Sequence, residues 1–223
     1  MSAQSGIELY SHIVEVLITG VRVTIEVTLG SLAFSMVVAA LLAGCQSLGG
    51  RLARALVQIY VELFRAVPVL TLLFIVYFGL ATLGIRFDSI SAAVLGLGIN
   101  GSAYCTEIFR AGIAAIPRGQ VEAAYALGLG RWQVFRLVIL PQAVRLVVPP
   151  LTNFAVQLLK NTSVASAVAA PEVMLLARNL VNETFHSPEI YLSVCVVYLC
   201  ISLPMIRLAS WLEHHLGAAE ARP

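Results

Sequence analysis

Two long apolar runs of the sequence each carry three polar side chains at the spacing of a single helical face. The first set is Asn100, Tyr104 and Glu107, and the second is Asn153, Gln157 and Lys160. Residues at i, i+4 and i+7 lie on one side of an α-helix, and a charge at the centre of a bilayer costs roughly 2.5–3.5 kcal/mol. Both sets are therefore expected to face protein or a water-filled path rather than lipid.

Together, the two polar faces have the chemistry to bind a zwitterion, since one carries a carboxylate and the other the only lysine of the chain. In this functional interpretation Glu107 binds the ammonium group, and neutral donors bind the substrate carboxylate: Thr162, Ser163 and Ser166. In the structural interpretation Glu107 and Lys160 pair with protein partners and hold the helices in register. The residues alone leave both interpretations open.

The composition indicates which elements must position these faces. The chain has 223 residues, of which 59% are hydrophobic and 12% charged, and its mean hydropathy is +0.90. Soluble domains carry roughly 25% charged residues, so half of the usual water-facing charge is missing. Long apolar runs predict an all-α membrane protein, because a β-barrel requires short alternating segments. The net charge of +2, without a Lys/Arg cluster, argues against nucleic acid as a partner.

Five apolar stretches are long enough to cross the hydrocarbon core, which takes about 20 residues of helix. They lie near residues 19–43, 66–83, 90–113, 146–168 and 190–210. Nine arginines lie on the side of the 113–145 connection and three on the opposite side, so the positive-inside rule places that connection in the cytoplasm. The sequence thus predicts a single transmembrane domain over residues 1–223, with its N-terminus outside and its C-terminus inside.

The segments beside the predicted spans carry further expectations. Residues 1–18 mix polar and apolar types, which suits either a short surface helix or an extension of the first span. Residues 170–189 are expected to hold a short external helix. Glu62 and Arg65, three residues apart, are expected to form a local ion pair. Pro68 is expected to bend its helix.

The 113–145 connection, which we call the coupling loop, contains a polar, turn-containing insert at residues 122–141. The spacing E-A-A-x3-G-x9-I-x-L-P is matched by Glu122, Ala123, Ala124, Gly128, Leu140 and Pro141, with Val138 in the place of isoleucine. This pattern resembles the EAA loop of ABC-importer permeases, the membrane subunits that dock onto a separate ATPase. We expect about two turns of helix here, with Glu122 in the first turn near the positive end of the dipole. Gly128 is expected to close that helix in the left-handed conformation.

The segment after Gly128 mixes Trp132 and Phe135 with arginines, which is typical of a helix at the cytoplasmic interface. Pro141 is expected to end this helix before the fourth span. A short helix that projects into the cytosol on a braced stem acts as a lever. Closure of a bound ATPase dimer is therefore expected to move the spans attached to it.

The resemblance extends to a narrower group, the polar amino-acid permeases of bacterial ABC importers, which take up His, Gln, Glu, Arg or opines. The segments that carry it are Tyr60–Arg65 with Pro68, Ala103–Tyr104 with Glu107–Ile108 and Arg110, Gly119–Gln120, Ile139–Ala143 and Lys160–Ser163. The chain departs from that group at Ala66–Val67, where Gly-Thr is common.

The resemblance implies a multi-pass protein of the bacterial inner membrane with several partners. They are two ATP-binding subunits, a second permease copy or a sister permease, an extracytoplasmic solute-binding protein and a polar amino-acid substrate. No G-x-x-x-x-G-K-[ST] motif occurs in the sequence. We therefore expect a non-catalytic subunit without a cofactor of its own, with ATP and Mg²⁺ used by the partner ATPase.

Other functions compete with this interpretation. A secondary transporter or channel would use Glu107 and Lys160 as ion or proton sites and would work without ATP. An intramembrane enzyme would need a catalytic constellation, yet the sequence contains neither H-E-x-x-H nor G-x-S-x-G. A purely structural scaffold would not need polar faces on two helices.

Overall fold

The computed structural model describes the backbone of residues 3–217 and the side chains of residues 8–46 and 49–215. All regular elements within that range are helical. The α-helices are α1 (Ala3–Leu48), α2 (Arg51–Ala66), α3 (Val69–Phe74), α4 (Leu80–Thr82), α5 (Ser89–Ala114), α6 (Arg118–Ala126), α7 (Arg131–Val134), α8 (Leu140–Asn161), α9 (Val173–Thr184) and α10 (Ser187–Gly217). Neighbouring helices are joined by two π-helical turns, Ile75–Gly79 and Phe135–Ile139, and by a 3₁₀ helix, Thr162–Val168.

Within the described part of the chain, three helical segments are long and apolar enough to cross a membrane: Glu8–Gln46, Arg131–Val168 and Ser187–His215. Helix α2 and the segment Val69–Thr82 make a fourth when they are counted as one span broken by a bend of 101°. The predicted all-α membrane class is thereby confirmed. The three unbroken segments contain, in that order, the predicted stretches 19–43, 146–168 and 190–210.

Helix α5, which contains the predicted stretch 90–113, packs against α1, α2, α3 and α8. Small residues allow its close contact with α1, as is common between helices in membranes. Ser35 Oγ donates to the carbonyl oxygen of Gly98 at 3.0 Å, and a Cβ atom on Gly98 would lie 2.6 Å from the Phe34 ring. Because neighbouring helices surround α5, its polar residues do not require contact with lipid.

The helix is interrupted near the start of the predicted second span, 66–83. Helix α2 ends at Ala66, Val67 is extended (φ −77°, ψ 129°), and a new helix begins after Pro68. Proline lacks an N–H, and its ring disfavours helical geometry in the residue before it. The expectation of a bend at Pro68 is therefore confirmed, and the helical segment that follows it, Val69–Thr82, lies within the predicted stretch 66–83.

Pro141 does not end the helix that precedes it, contrary to the expectation from sequence. The chain stays helical from Arg131 to Val168 because the backbone widens into the π turn Phe135–Ile139 just before the proline. The N–H of Leu140 donates to the carbonyl oxygen of Phe135, five residues back. A π turn shifts the backbone hydrogen bonds by one residue, and this relieves the clash that a proline would otherwise make with the preceding turn.

The N-terminal segment follows one of its two predicted arrangements. Helix α1 begins at Ala3 and runs without interruption to Leu48, so the lead-in extends the first span; residues 1–2 lie outside the described range. The short external helix expected within 170–189 is α9. Ile13 and Leu17 of α1 pack with Val173 and Ala177 of α9, which ties the two segments together.

Candidate functional site

A polar cavity of about 230 Å³ lies at the break between α2 and α3. Its polar lining comes from three elements: Arg65 at the end of α2, Asn100 and Tyr104 on α5, and Gln157 and Asn161 on α8. One residue of the second predicted polar face thus lies beside two residues of the first. In a membrane protein, non-helical backbone is tolerated where it is buried in protein or lines a cavity, and the broken segment here does line one.

Asn100 holds the break in place. Its side-chain Nδ2 donates to the backbone oxygen of Phe64 at 2.7 Å, which satisfies one of the carbonyls that the end of α2 leaves without a helical partner. Two residues further along α5, Ser102 shares a hydrogen bond of 2.7 Å with the hydroxyl of Tyr60. Two polar contacts therefore fix α2 against α5 beside the cavity.

Tyr104 organises the aromatic and cationic side of the cavity. Its ring stacks on Phe154 of α8, with 6.1 Å between centroids and 20° between planes. The guanidinium carbon of Arg65 lies over the Tyr104 ring, 5.2 Å from the centroid, in cation–π geometry. The predicted Glu62–Arg65 ion pair is wrong, because Arg65 turns to this ring and Glu62 accepts instead from Gln58 Nε2 at 2.9 Å.

Glu107 lies outside the cavity at the break and pairs within its own helix. Both of its carboxylate oxygens accept from Arg110, Oε2 from Nε at 2.9 Å and Oε1 from Nη2. The structural interpretation of Glu107 as a paired residue is thereby supported, although the partner is three residues away and does not join two helices. Glu107 shares two further cavities with Arg65, one of which also contains Arg110.

The other two residues of the second polar face, Asn153 and Lys160, do not line the cavity at the break. Asn153 Nδ2 donates to Glu213 Oε1 of α10 at 2.6 Å and does not line the cavity at the break. Lys160 is exposed, and no ion pair involves it within the described residues. The structure therefore brings Gln157 alone of this face into the cavity.

The three candidate hydroxyls lie in the 3₁₀ helix and bond to nearby backbone. Thr162 is fully buried and donates to the oxygen of Leu159 at 2.7 Å. Ser163 donates to the oxygen of Lys160 at 2.9 Å, and Ser166 to that of Ser163 at 2.8 Å. Such local bonds occupy the hydroxyl protons, and none of the three residues lines the cavity at the break.

Two lining residues, Arg65 and Asn161, are not among the candidates drawn from sequence. Arg65 looks like a partner for Glu62, three residues before it, and Asn161 belongs to neither polar face. The sequence signal for these two residues was Pro68, which predicts a helix break in an apolar run. The last backbone carbonyls before such a break have no helical partner and require polar neighbours.

The coupling loop presents an exposed helix, α6, which begins at Arg118. Glu122 is therefore in its second turn and not, as predicted, in its first. Ala123 is exposed, but Ala124 is buried within this chain, so only one of the two alanines is open to another protein. Gly128 has the predicted left-handed conformation (φ +79°), and its N–H donates to the Tyr125 oxygen at 2.9 Å.

Helix α6 is braced against the helical segment that follows it. Gln142 Nε2 donates to Gln120 Oε1 at 3.3 Å and to the backbone oxygen of Val138 at 2.9 Å. Large apolar side chains remain exposed nearby, with Leu127 at 81% and Trp132 at 69% of their full accessibility. Leu140 and Pro141 are exposed where the π turn meets α8. The loop thus combines a fixed base with an apolar outer surface.

Solved structures define the class of this fold. A crystal structure of an amino acid ABC transporter with histidines contains a chain that matches with a TM-score of 0.87 and 28% identity, over 96% of this chain and 99% of that one. The methionine ABC transporter MetNI in an inward-facing conformation matches with a TM-score of 0.74 and 22% identity, over 97% and 99%. The second match concerns the fold alone. The architecture is that of the membrane subunits of ABC transporters.

Residues 35–217 match the family described as binding-protein-dependent transport system inner membrane component, and the chain belongs to this family. It is 32% identical over 214 residues to the probable amino-acid permease PatM of Vibrio harveyi, covering 95% of this chain and 96% of PatM. It is 32% identical over 205 residues to the glutamine transport permease GlnP of Escherichia coli K12, covering 91% and 94%. The match to the probable amino-acid permease YckA of Bacillus subtilis is 38% over 144 residues, covering 65% and 64%.

The chain is therefore a multi-pass protein of the bacterial inner membrane and a component of a binding-protein-dependent transport system. Permeases of this kind are transport subunits and not catalysts. The competing interpretation as a secondary transporter or channel is not favoured, because both the family and the fold are those of ABC importers.

Proposed function

We propose that this chain is the permease subunit of an ATP-driven importer for polar amino acids and that it provides the translocation pathway. The observation that carries the proposal is the unbroken helical segment Arg131–Val168. It begins inside the coupling loop and reaches Gln157 at the cavity, about 39 Å away at 1.5 Å per residue. A displacement of the loop is therefore transmitted to one wall of the cavity.

The assembly we propose contains two permease subunits, this chain with a second copy or a sister, and two ATP-binding subunits that use ATP and Mg²⁺. An extracytoplasmic binding protein delivers the solute. The chain itself is one transmembrane domain over residues 1–223 with five spans, the bent pair and α5 included, with its N-terminus outside. The excess of arginine on the side of the coupling loop supports this orientation.

The proposed substrate class rests on the relatives and on the polarity of the cavity. PatM and YckA are probable amino-acid permeases, and GlnP belongs to a glutamine transport system. We place Asn100 and Tyr104 on the substrate pathway because they line the cavity at the helix break. Glu107 and Lys160 have gating or structural roles in this proposal. We also assign the three hydroxyl residues of the 3₁₀ helix to the wall of the pathway, outside the cavity at the break: Thr162, Ser163 and Ser166.

ATPase coupling is assigned to the exposed outer surface of the coupling loop, which includes Glu122, Ala123, Gly128, Leu140 and Pro141. Ala124 supports that surface from within, because it is buried between α6 and the rest of the chain. A large charged side chain at Ala123 blocks close contact with another protein and leaves the packing of this chain intact.

The test compares Ala123→Arg with Ala55→Arg in proteoliposomes that contain the complete transporter. Ala55 is exposed on α2, one turn after Arg51, and serves as the matched control. Ala123→Arg is expected to lower ATP-dependent uptake about tenfold or more, as the loss of an interface hot spot does, and the control to transport normally. Uptake at the normal rate in Ala123→Arg, or uptake without ATP in the original protein, contradicts the proposed function.

A further inference from the structure

The cavity at the helix break has an unbalanced charge. Of the described residues that line it, only Arg65 carries a formal charge. Its other polar side chains are the phenol of Tyr104 and three carboxamides: Asn100, Gln157 and Asn161. A cleft whose lining carries one formal charge, and that a positive one, attracts an anionic group.

The carboxylates nearest to Arg65 along the chain and across the helices are occupied elsewhere. Glu62 accepts from Gln58, and Glu107 is paired with Arg110. Among the described residues, no carboxylate lies within ion-pair distance of Arg65, whose guanidinium rests on the Tyr104 ring. The N–H groups around the guanidinium edge are thus available, and their fork matches the two oxygens of a carboxylate.

The carboxamides suit the neutral and cationic parts of an amino acid. Asn100 uses its Nδ2 on the backbone of Phe64, which leaves its Oδ1 as an acceptor for an ammonium group. Within the described residues, no hydrogen bond involves the side chains of Gln157 or Asn161, so both retain donor and acceptor capacity. A carboxamide pairs well with a neutral polar side chain and gives no compensation for a full positive charge.

We propose that Arg65 binds the α-carboxylate of the transported amino acid and that Gln157 and Asn161 select an uncharged polar side chain. This inference rests on the proposed function of the chain as an amino-acid permease. It adds Arg65, which is not among the pathway residues predicted from sequence, and it narrows the substrate class. A cationic substrate side chain would lie near Arg65, and none of the described residues that line this cavity is acidic. Lysine and arginine are therefore poor ligands of this cavity.

The experiment uses the complete transporter in nanodiscs, without binding protein, incubated with an equimolar mixture of the twenty radiolabelled protein amino acids. The retained amino acid is expected to have an uncharged polar side chain. The α-carboxamide derivative of that amino acid is expected to bind about tenfold to a hundredfold more weakly, which is the usual effect of losing a charged hydrogen-bond partner.

Arg65→Gln is expected to lose affinity for the amino acid by the same factor and to bind the amino acid and its carboxamide equally. The control is Arg51→Gln, an exposed arginine on the same helix, which keeps the discrimination. Arg65→Lys retains the charge without the fork and keeps a reduced preference for the carboxylate. This variant decides the question if Arg65→Gln does not fold.

Three results overturn the inference: unchanged discrimination in Arg65→Gln, preferential retention of lysine or arginine, or no retention of any amino acid by the original protein. The proposed function is tested separately by ATP-dependent uptake in the presence of the binding protein. Normal uptake together with any of these three results removes the assignment of Arg65 and leaves the importer function standing. The absence of ATP-dependent uptake removes the importer function itself.

Discussion

Glu172 is a fully buried carboxyl at the point where three helices meet, and its replacement should loosen the packing of α1, α9 and α10. It caps α9 by accepting from the N–H groups of Met174 at 2.8 Å and Leu175 at 2.9 Å. It also accepts from the hydroxyl of Tyr198 on α10 at 3.0 Å. The N–H of the next residue, Val173, donates to Thr24 Oγ1 of α1 at 3.4 Å.

The magnitude follows from the bonds that Glu172→Ala removes. Loss of a helix cap costs about 1 kcal/mol, and leaving a buried hydroxyl such as that of Tyr198 without its partner costs about 1–3 kcal/mol. We therefore expect the free energy of unfolding to fall by about 2–4 kcal/mol. Glu172→Gln keeps one carbonyl acceptor and should lose about 1 kcal/mol. The matched control is Glu183→Gln on the exposed part of α9, with a change within about 0.5 kcal/mol.

The dependence on pH gives a second readout of the same group. Burial raises the pKa of Glu172 above its ordinary value of 4.5, and the N–H groups and Tyr198 partly oppose this by lowering it. The native state therefore binds the proton more tightly than the unfolded chain. The stabilisation due to protonation is complete below pH 4.5 and is lost as the pH rises through the native pKa. Glu172→Gln should abolish this decline.

Chemical unfolding in mixed micelles, followed by tryptophan fluorescence from about pH 4 to 8, measures both effects within the range where the carboxyl titrates. The reasoning is refuted if Glu172→Ala is as stable as Glu183→Gln. It is also refuted if the curves of Glu172→Gln and the original protein stay parallel across that range, because the buried carboxyl would then titrate no differently in the folded and unfolded chains.

Two further predictions concern the helix break and the coupling loop. Asn100→Leu leaves the Phe64 carbonyl without its donor, so it should cost about 1–3 kcal/mol of stability in the same unfolding assay and reduce uptake; equal stability would contradict the role of Asn100 at the break. Gly128→Ala places a side chain at a φ of +79° and should cost about 1–2 kcal/mol and weaken ATPase stimulation by the loaded binding protein. Gly119→Ala, at a helical position with open space, is the control and should behave normally.

The elements that were predictable from the sequence are those with local causes. Long apolar runs define helices whatever their neighbours, and the stretch 19–43 lies inside α1 as expected. Gly128 ends α6 because only a left-handed residue continues the chain there, a signal contained in the motif itself. The extent of α6 was less predictable, since its start at Arg118 places Glu122 one turn later than its sequence suggested.

The contacts of the candidate site were not predictable because they join segments far apart in sequence. Spacing alone pairs Glu62 with Arg65, yet the break at Pro68 brings Arg65 over the ring of Tyr104 on another helix. Asn100 is recognisable as a polar residue in an apolar run, but its partner, the Phe64 carbonyl, is a backbone atom 36 residues away. Only the three-dimensional packing shows which polar residues serve the backbone and which remain for a ligand.

The positions of the two helical irregularities suggest how one chain couples the loop to the cavity. The break at Pro68 separates α2 from α3, so the end that carries Arg65 is attached to α5 through Asn100. The π turn before Pro141, in contrast, keeps the opposite wall continuous with the coupling loop. We propose that a movement of the loop displaces Gln157 relative to Arg65, because Gln157 belongs to the helical segment that begins in the loop and the end of α2 is attached to α5. This displacement has to shift the Phe154 ring, which lies on the same segment as Gln157, across the Tyr104 ring of α5. In this proposal the cavity opens and closes because its two walls are attached differently, and two prolines in different helical contexts provide that difference.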